Sequence, residues 1–148
     1  MAELAFLTDG VEMPRLDEAL MRKWIEAVAR GFEKSVGDLS YIFCNDEKIL
    51  EVNRQFLNHD YFTDIITFDY SRRHRISGDM FISLDTVASN AEMVGAAYEM
   101  ELYRVIIHGI LHLCGVNDKG VGEREIMERH ENESLQLLSN LISQNNEI

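Results

Sequence analysis

Proline is almost absent: only Pro14 interrupts the 148 residues. The chain also has no low-complexity stretch and no internal repeat, so nothing marks a linker. It reads as one domain spanning residues 1–148. Cysteine is scarce as well. Cys44 and Cys114 make no disulfide framework, which excludes a disulfide-stapled secreted scaffold and leaves both as thiols. No apolar run is long enough to cross a bilayer. The N-terminus, Met1-Ala2-Glu3-Leu4, lacks the basic segment and long apolar stretch of a secretion signal, which places the protein in the cytosol with no membrane contact. Basic charge is in short supply: 14 Lys and Arg stand against 26 Asp and Glu, a formal net charge of −12. That balance argues against a general polyanion binder. A local basic strip can still act within an acidic whole, because the Debye length is only about 8–10 Å at cellular salt.

Hydrophobic residues make up 46% of the chain, enough for one ordinary core. Leu4 to Leu7 is a short apolar edge strand. Leu16, Ala19, Leu20, Ile25, Ala27, Val28 and Phe32 recur at helical spacing, predicting a helix from about Arg15 to Lys34 with Pro14 just before or at its first turn. Gly37 breaks that pattern, and Leu39 to Cys44 reads as a strand. Asn45 or Asp46 is the expected cap of the next helix, which carries Ile49, Leu50, Val52, Asn53, Phe56 and Leu57. Ile65 to Phe68 is β-branched and aromatic, a strand. Ser71 to Ser77 is a polar, basic connection, and Gly78 to Leu84 is a further strand. Asp85 or Thr86 caps a helix to about Ala96. Tyr98 to Cys114 is a longer helix ended by Gly115, and Glu123 to about Ser143 is the last. The strand-helix-strand steps favour parallel pairing, and the Ile65 and Gly78 strands are close enough to pair antiparallel. The sum is an α+β fold: a mixed sheet of about four strands packed with about five helices as a layer pair, with the functional site at a helix end.

The most informative stretch is His108-Gly109-Ile110-Leu111-His112-Leu113-Cys114-Gly115-Val116-Asn117-Asp118. Residues four apart on a helix share a face, so two imidazoles there converge on one ion. Gly115 stops the helix and lets the chain turn back, which places Asp118 to supply a third ligand. Two nitrogens and a carboxylate oxygen suit zinc, one per chain, and three protein ligands leave a fourth position open, as catalytic sites do. Two histidines at this spacing can also be ordinary half-buried residues. Against that, Val105 to Leu113 is otherwise apolar, and an imidazole there is costly without a partner. Cys114 is a rival ligand, but it lies about 240° around the helix from His108 and is read as packing on the core. His130, in the charged turn Glu128-Arg129-His130-Glu131, is read as a surface residue. Zinc peptidases of the His-Glu-x-x-His type carry their general base directly after the first histidine. Here that position is Gly109, read as a place where the helix packs tightly.

The stretch His108-Gly109-x-Leu111-His112-Leu113-x-Gly115 resembles the signature of the YbeY family of rRNA-maturation endoribonucleases, whose third histidine is replaced here by Asp118. Asn53-x-x-Phe56-x-x-x-Asp60-x-x-Thr63-Asp64-Ile65-Ile66-Thr67-Phe68 and Gly78-Asp79-Met80-Phe81-Ile82-Ser83 resemble two further blocks of the same family, so the likeness covers about residues 45 to 130. The family usually carries an arginine where this chain has Leu57. Arg54, one helical turn away, is the candidate substitute. The resemblance implies a zinc-dependent endoribonuclease acting on single-stranded RNA. Its implied role is maturation of the 3′ end of small-subunit rRNA and ribosome quality control, with the small subunit and its proteins as partners.

Arg72-Arg73-His74-Arg75 is the densest basic run. As a surface connection it is the candidate guide for RNA, weighed evenly against a solvated turn. Asp64 and Asp79 are expected to make structural hydrogen bonds, and Tyr61-Phe62 either stacks on bases or belongs to the core. Two other functions stay open. One is a non-catalytic ribosome-assembly factor with a structural zinc, and the other is a small zinc hydrolase or peptidase.

Overall fold

The computed structural model describes residues 3–57 and 63–146. Four strands and five helices follow one another as β1 (Leu4–Thr8), α1 (Glu18–Gly31), β2 (Ser35–Cys44), α2 (Asp46–Leu57), β3 (Ile65–Asp69), β4 (Arg75–Ser83), α3 (Leu84–Val94), α4 (Tyr98–Leu113) and α5 (Glu123–Asn146). The sheet order is β1-β2-β4-β3. β1 and β4 both run parallel to β2, and β3 pairs antiparallel with β4. The mixed α+β sheet expected from the order of elements is therefore present.

Local chemistry moves several boundaries. α1 starts later than Arg15, because the Asp17 side chain caps it by accepting the Leu20 N–H at 3.1 Å, and Pro14 lies just before it. Gly37 does not end a segment. It sits inside β2 at a register shift, where a Cβ would lie 2.8 Å from the Ile76 carbonyl oxygen. Asn45 caps α2 by accepting from Lys48 N–H at 2.9 Å. α3 starts earlier than expected: Ser83, not Asp85 or Thr86, caps it by accepting from Thr86 N–H at 3.3 Å. Thr86 is free for a second task, since its hydroxyl and that of Ser83 both donate to Asp46 and tie α3 to the start of α2.

The strands alternate faces. Leu39, Tyr41, Phe43, Ile76, Met80 and Ile82 join the main core with α1, α4 and α5. Ile66, with Phe68 and Phe81 against it, packs on Ile49 and Val52 of α2. The layer pair thus has one addition, α2 on the opposite face beside β3. Two buried hydrogen bonds pin the helices over the sheet. Tyr41 Oη donates to the Ile106 carbonyl of α4 at 2.8 Å, and Trp24 Nε1 donates to the Ser134 carbonyl of α5 at 2.8 Å. Gly109 brings α4 close: a Cβ there would lie 2.7 Å from Met80 Sδ and 3.0 Å from Ile65 Cδ1. Tight packing, not catalysis, is what that glycine serves.

Candidate metal centre

His108 and His112 sit in the last two turns of α4, with rings 4.5 Å apart and nearly perpendicular. The helix ends in a Schellman motif, in which Val116 N–H donates to the Leu111 carbonyl and Gly115 N–H to the His112 carbonyl, both at 3.0 Å. Gly115 takes the left-handed conformation this turn needs, φ 98°. Val116 is buried and anchors the loop. Asp118 is thereby returned to the histidines, where its Oδ2 lies 3.3 Å from Nε2 of each.

One ligand atom from each of the three residues lies within 4.8 Å of the others. The two carboxylate–imidazole separations are compatible with a shared metal. Ligand atoms bonded at about 2.0–2.1 Å to a tetrahedral zinc stand roughly 3.3–3.4 Å from one another. Direct hydrogen bonds between imidazolium and carboxylate would close to about 2.7–2.9 Å. The observed 3.3 Å separations match the first spacing.

A second carboxylate, unforeseen in the sequence, orders this group. Glu131 of α5 is 8% exposed. Its Oε2 lies 2.6 Å from His108 Nδ1, and its Oε1 accepts from Arg104 Nη1 at 2.8 Å. Burial acts to raise the Glu131 carboxyl, but hydrogen bonds from His108 and Arg104 outweigh it and hold the group below its ordinary range. Glu131 is therefore the acceptor and His108 Nδ1 the donor, which leaves Nε2 to face the ligand position. Burial likewise acts to lower the His108 imidazole. The hydrogen bond and charge of Glu131, with Asp64 and Asp118, outweigh that effect and raise it. His112 lacks the Glu131 contact, and burial together with the His108 charge outweighs Asp118 and lowers it. A signal for Glu131 was present in the sequence. It lies on the buried stripe Met127, Glu131, Ser134, Leu138 and Leu141 of α5, spaced as a core face.

Two clefts meet at the metal group. The first, about 480 Å³, runs along β3 between α4 and the end of α2, and holds Asn53, Leu57, Asp64, His112, Asp118 and Lys119. The second, about 670 Å³, lies between α3, α4 and α5 and includes Arg104, Arg124 and Glu131. Asp64, His108 and Asp118 border both. The Asp64 carbonyl accepts a backbone hydrogen bond from Ser83 N–H at 2.9 Å. Its carboxyl is raised above the usual range, chiefly by burial, against the pull of His108.

The remaining candidates lie elsewhere. Cys114 faces the core, and burial pushes its thiol up to about 11. Cys44 is fully buried in the α2 cluster. His130 is not wholly at the surface: its ring packs on Phe32 at 5.1 Å, apart from the metal group. Asp79 lies within β4, opposite Phe68, on the face away from α4. Arg54 is exposed on α2, and it is Asn53 and Leu57 that line the first cleft. Arg72 and Arg73 are exposed in the β3–β4 turn and Arg75 is exposed at the start of β4, and neither cleft is lined by them. Asp60 and Tyr61-Phe62 fall outside the described residues.

The family model described as Endoribonuclease YbeY matches residues 8–139. The chain belongs to the YbeY family. It is 62% identical over 132 residues to the Endoribonuclease YbeY of Bacteroides thetaiotaomicron, covering 89% of this chain and 96% of that relative. It is 49% identical over 142 residues to the Endoribonuclease YbeY of Porphyromonas gingivalis, covering 96% and 94%. The fold is also that of TM1509 from Thermotoga maritima, whose solution structure superposes with a TM-score of 0.65 at 24% identity over 97% of this chain and 93% of that one. Among the described residues, no helix is long and apolar enough to cross a membrane.

Proposed function

We propose that this YbeY-family chain is a zinc-dependent endoribonuclease that cuts single-stranded RNA, in maturation of the small-subunit rRNA 3′ end and in ribosome quality control, in the cytosol. The observation that carries this reading is the convergence of His108, His112 and Asp118 at the junction of two open clefts. A strand entering by one cleft and leaving by the other presents an internal phosphodiester to the metal group, as an endonuclease requires. Zinc bound there supplies Lewis acidity, lowering the pKa of a water toward about 7 and polarising a phosphoryl oxygen.

The chain's own residues do the rest. Glu131 fixes the tautomer and orientation of His108. Asp64, half-buried between the clefts, is the carboxylate placed to accept a proton from an attacking hydroxyl. Lys119 puts a cation in the first cleft beside Asp118 for a phosphate oxygen. Arg72, Arg73 and Arg75 serve as an outer electrostatic guide, beyond the Asp69 end of that cleft. Replacing all three by alanine is expected to flatten the salt dependence of RNA binding by a slope of up to about 2. An unchanged slope would remove them from the account.

One observation favours a second reading, a ribosome-assembly factor with a structural metal. Leu57 lines the cleft where the family's arginine is expected. The peptidase reading has no such support, because Gly109 faces the sheet and carries no base. The deciding experiment is cleavage of a single-stranded rRNA 3′-end fragment by highly purified protein. Zinc-loaded wild type is expected to cut, and chelated wild type and His112→Ala are not. Absence of cutting by zinc-loaded wild type, with zinc still bound, would favour the assembly factor. Equal cutting by all three would mark a contaminating nuclease.

A further inference from the structure

β3 is the last strand of the sheet, and Thr63 through Thr67 with Asp69 line the first cleft. Consecutive residues of a strand line a cleft only where its edge, not one face, borders the space. Hydrogen bonds at both ends of β3 fix which way its backbone points. Ser83 N–H donates to the Asp64 carbonyl, and Tyr70 N–H donates to the Ser77 carbonyl, each at 2.9 Å. Bonded pairs alternate along an antiparallel ladder. Ile66 and Phe68, opposite Phe81 and Asp79, therefore direct their N–H and C=O groups to β4. Ile65, Thr67 and Asp69 direct theirs outward. Among the described residues, no backbone group pairs with these outward donors and acceptors.

α4 runs alongside this edge. Gly109 sits against Ile65 and Met80, while Leu113 reaches Gly78, the partner of Asp69. His112 lies between those two points on the helix, so it stands over the Thr67 stretch of the strand. The first hydrogen-bonding backbone that a substrate meets beside the metal group is thus the outward N–H and C=O of Thr67.

The chemistry of that edge selects among parts of an RNA. A phosphate only accepts hydrogen bonds, and along an edge it would meet carbonyls as often as N–H groups. A nucleobase carries a donor next to an acceptor on its Watson–Crick edge, which matches one outward residue of a strand. In a duplex that base edge is already occupied, and single strands leave it open.

We propose that the outward backbone of Thr67 hydrogen-bonds the Watson–Crick edge of an unpaired base beside the scissile phosphate, so that the β3 edge is what selects single-stranded RNA. This inference rests on the endoribonuclease reading. Proline at an edge position removes an outward donor without breaking the ladder, so Thr67→Pro is the first variant. A second replaces the Thr67 N–H by an ester oxygen through the corresponding α-hydroxy acid, without added bulk.

The test is kcat/KM on single-stranded RNAs with one abasic nucleotide at successive positions around the cut, with zinc affinity and circular dichroism measured alongside. Wild type is expected to lose about 10-fold at one abasic position, the worth of one or two neutral hydrogen bonds. Each variant, which removes the Thr67 N–H and keeps its carbonyl, is expected to lose about 3–10-fold on intact RNA and to lose less than wild type does at that same position, with zinc affinity and fold unchanged. Losses that add in full, or variants that cut like wild type, would overturn the inference and leave the ribonuclease reading intact. Failure of zinc-loaded wild type to cut any of the RNAs would overturn both. Preferential capture of an extended peptide, lost in Thr67→Pro, would also overturn it and assign the edge to a protein partner.

Discussion

The two ends of the metal group are built differently, although His108 and His112 belong to one helix and are one turn apart. The His108 end is buttressed. Its Nδ1 is held at 2.6 Å by Glu131, which is held in turn by Arg104, and Arg104 Nη2 also donates to Asn132 at 2.9 Å. The His112 end opens on the first cleft beside Leu113 and Lys119. One imidazole is raised and its neighbour lowered, in nearly the same setting. The difference teaches that helical spacing brings two ligands together, while the helix packed behind them decides their protonation and stiffness.

Removing either histidine breaks the comparison most completely. His108→Ala and His112→Ala are both expected to abolish stoichiometric zinc binding, a loss well beyond about 100-fold in affinity, read by competition with a chelator. Their effects on the metal-free protein should differ. His108→Ala discards a charge-assisted hydrogen bond to a buried carboxylate and is expected to cost about 1.5–3 kcal/mol in denaturant unfolding. His112→Ala removes an imidazole that its neighbour's charge disfavours, and is expected to cost less. Equal losses would show that the Glu131 contact contributes nothing to stability.

The next largest effect comes from removing the buttress alone. Glu131→Ala is expected to weaken zinc binding about 10–100-fold, the usual consequence of losing the partner of a ligating histidine. Glu131→Gln, which keeps an acceptor for Nδ1, should recover part of that loss. A zinc affinity unchanged in Glu131→Ala would mean that helix packing alone orients His108.

The subtlest test is titration by NMR of the metal-free protein, where His108 is expected to protonate at higher pH than His112. The consequences for stability have opposite signs. His108, raised above its ordinary 6.5, contributes stability fully present below that value and lost as pH rises through its folded pKa. Glu131, lowered from 4.5, contributes stability present above that value and lost as pH falls through its folded pKa. The pair is therefore strongest between those two ordinary values. His112, lowered, destabilises as pH falls below 6.5. The reverse order of titration would contradict the assignment of the Glu131 hydrogen bond.

The same contrast explains what the sequence made legible. The mixed sheet followed from element order, because helix-linked strands pair in parallel and a short connection favours an antiparallel neighbour. The candidate metal ligands were legible because their signal is local: two histidines four apart, a glycine stop and a carboxylate three residues later. Glu131 was hidden because it comes from a helix remote in sequence and lies within a charged turn, although its place on the buried stripe of α5 betrays it. What we propose for Asp64 and Thr67 was hidden for another reason. Their roles depend on β3 being the edge strand, which only the assembled sheet decides. Ser83 displaced the expected caps of α3 because the side chains of Thr86 and Asp85 turn instead to α2.

The measurement closest to the central claim is zinc K-edge X-ray absorption of the loaded protein. The account predicts a shell of nitrogen and oxygen only, at about 2.0–2.1 Å, with the multiple scattering of two imidazoles. A sulfur at about 2.3 Å would bring in Cys114 and contradict the assignment. So would multiple scattering from fewer than two imidazoles.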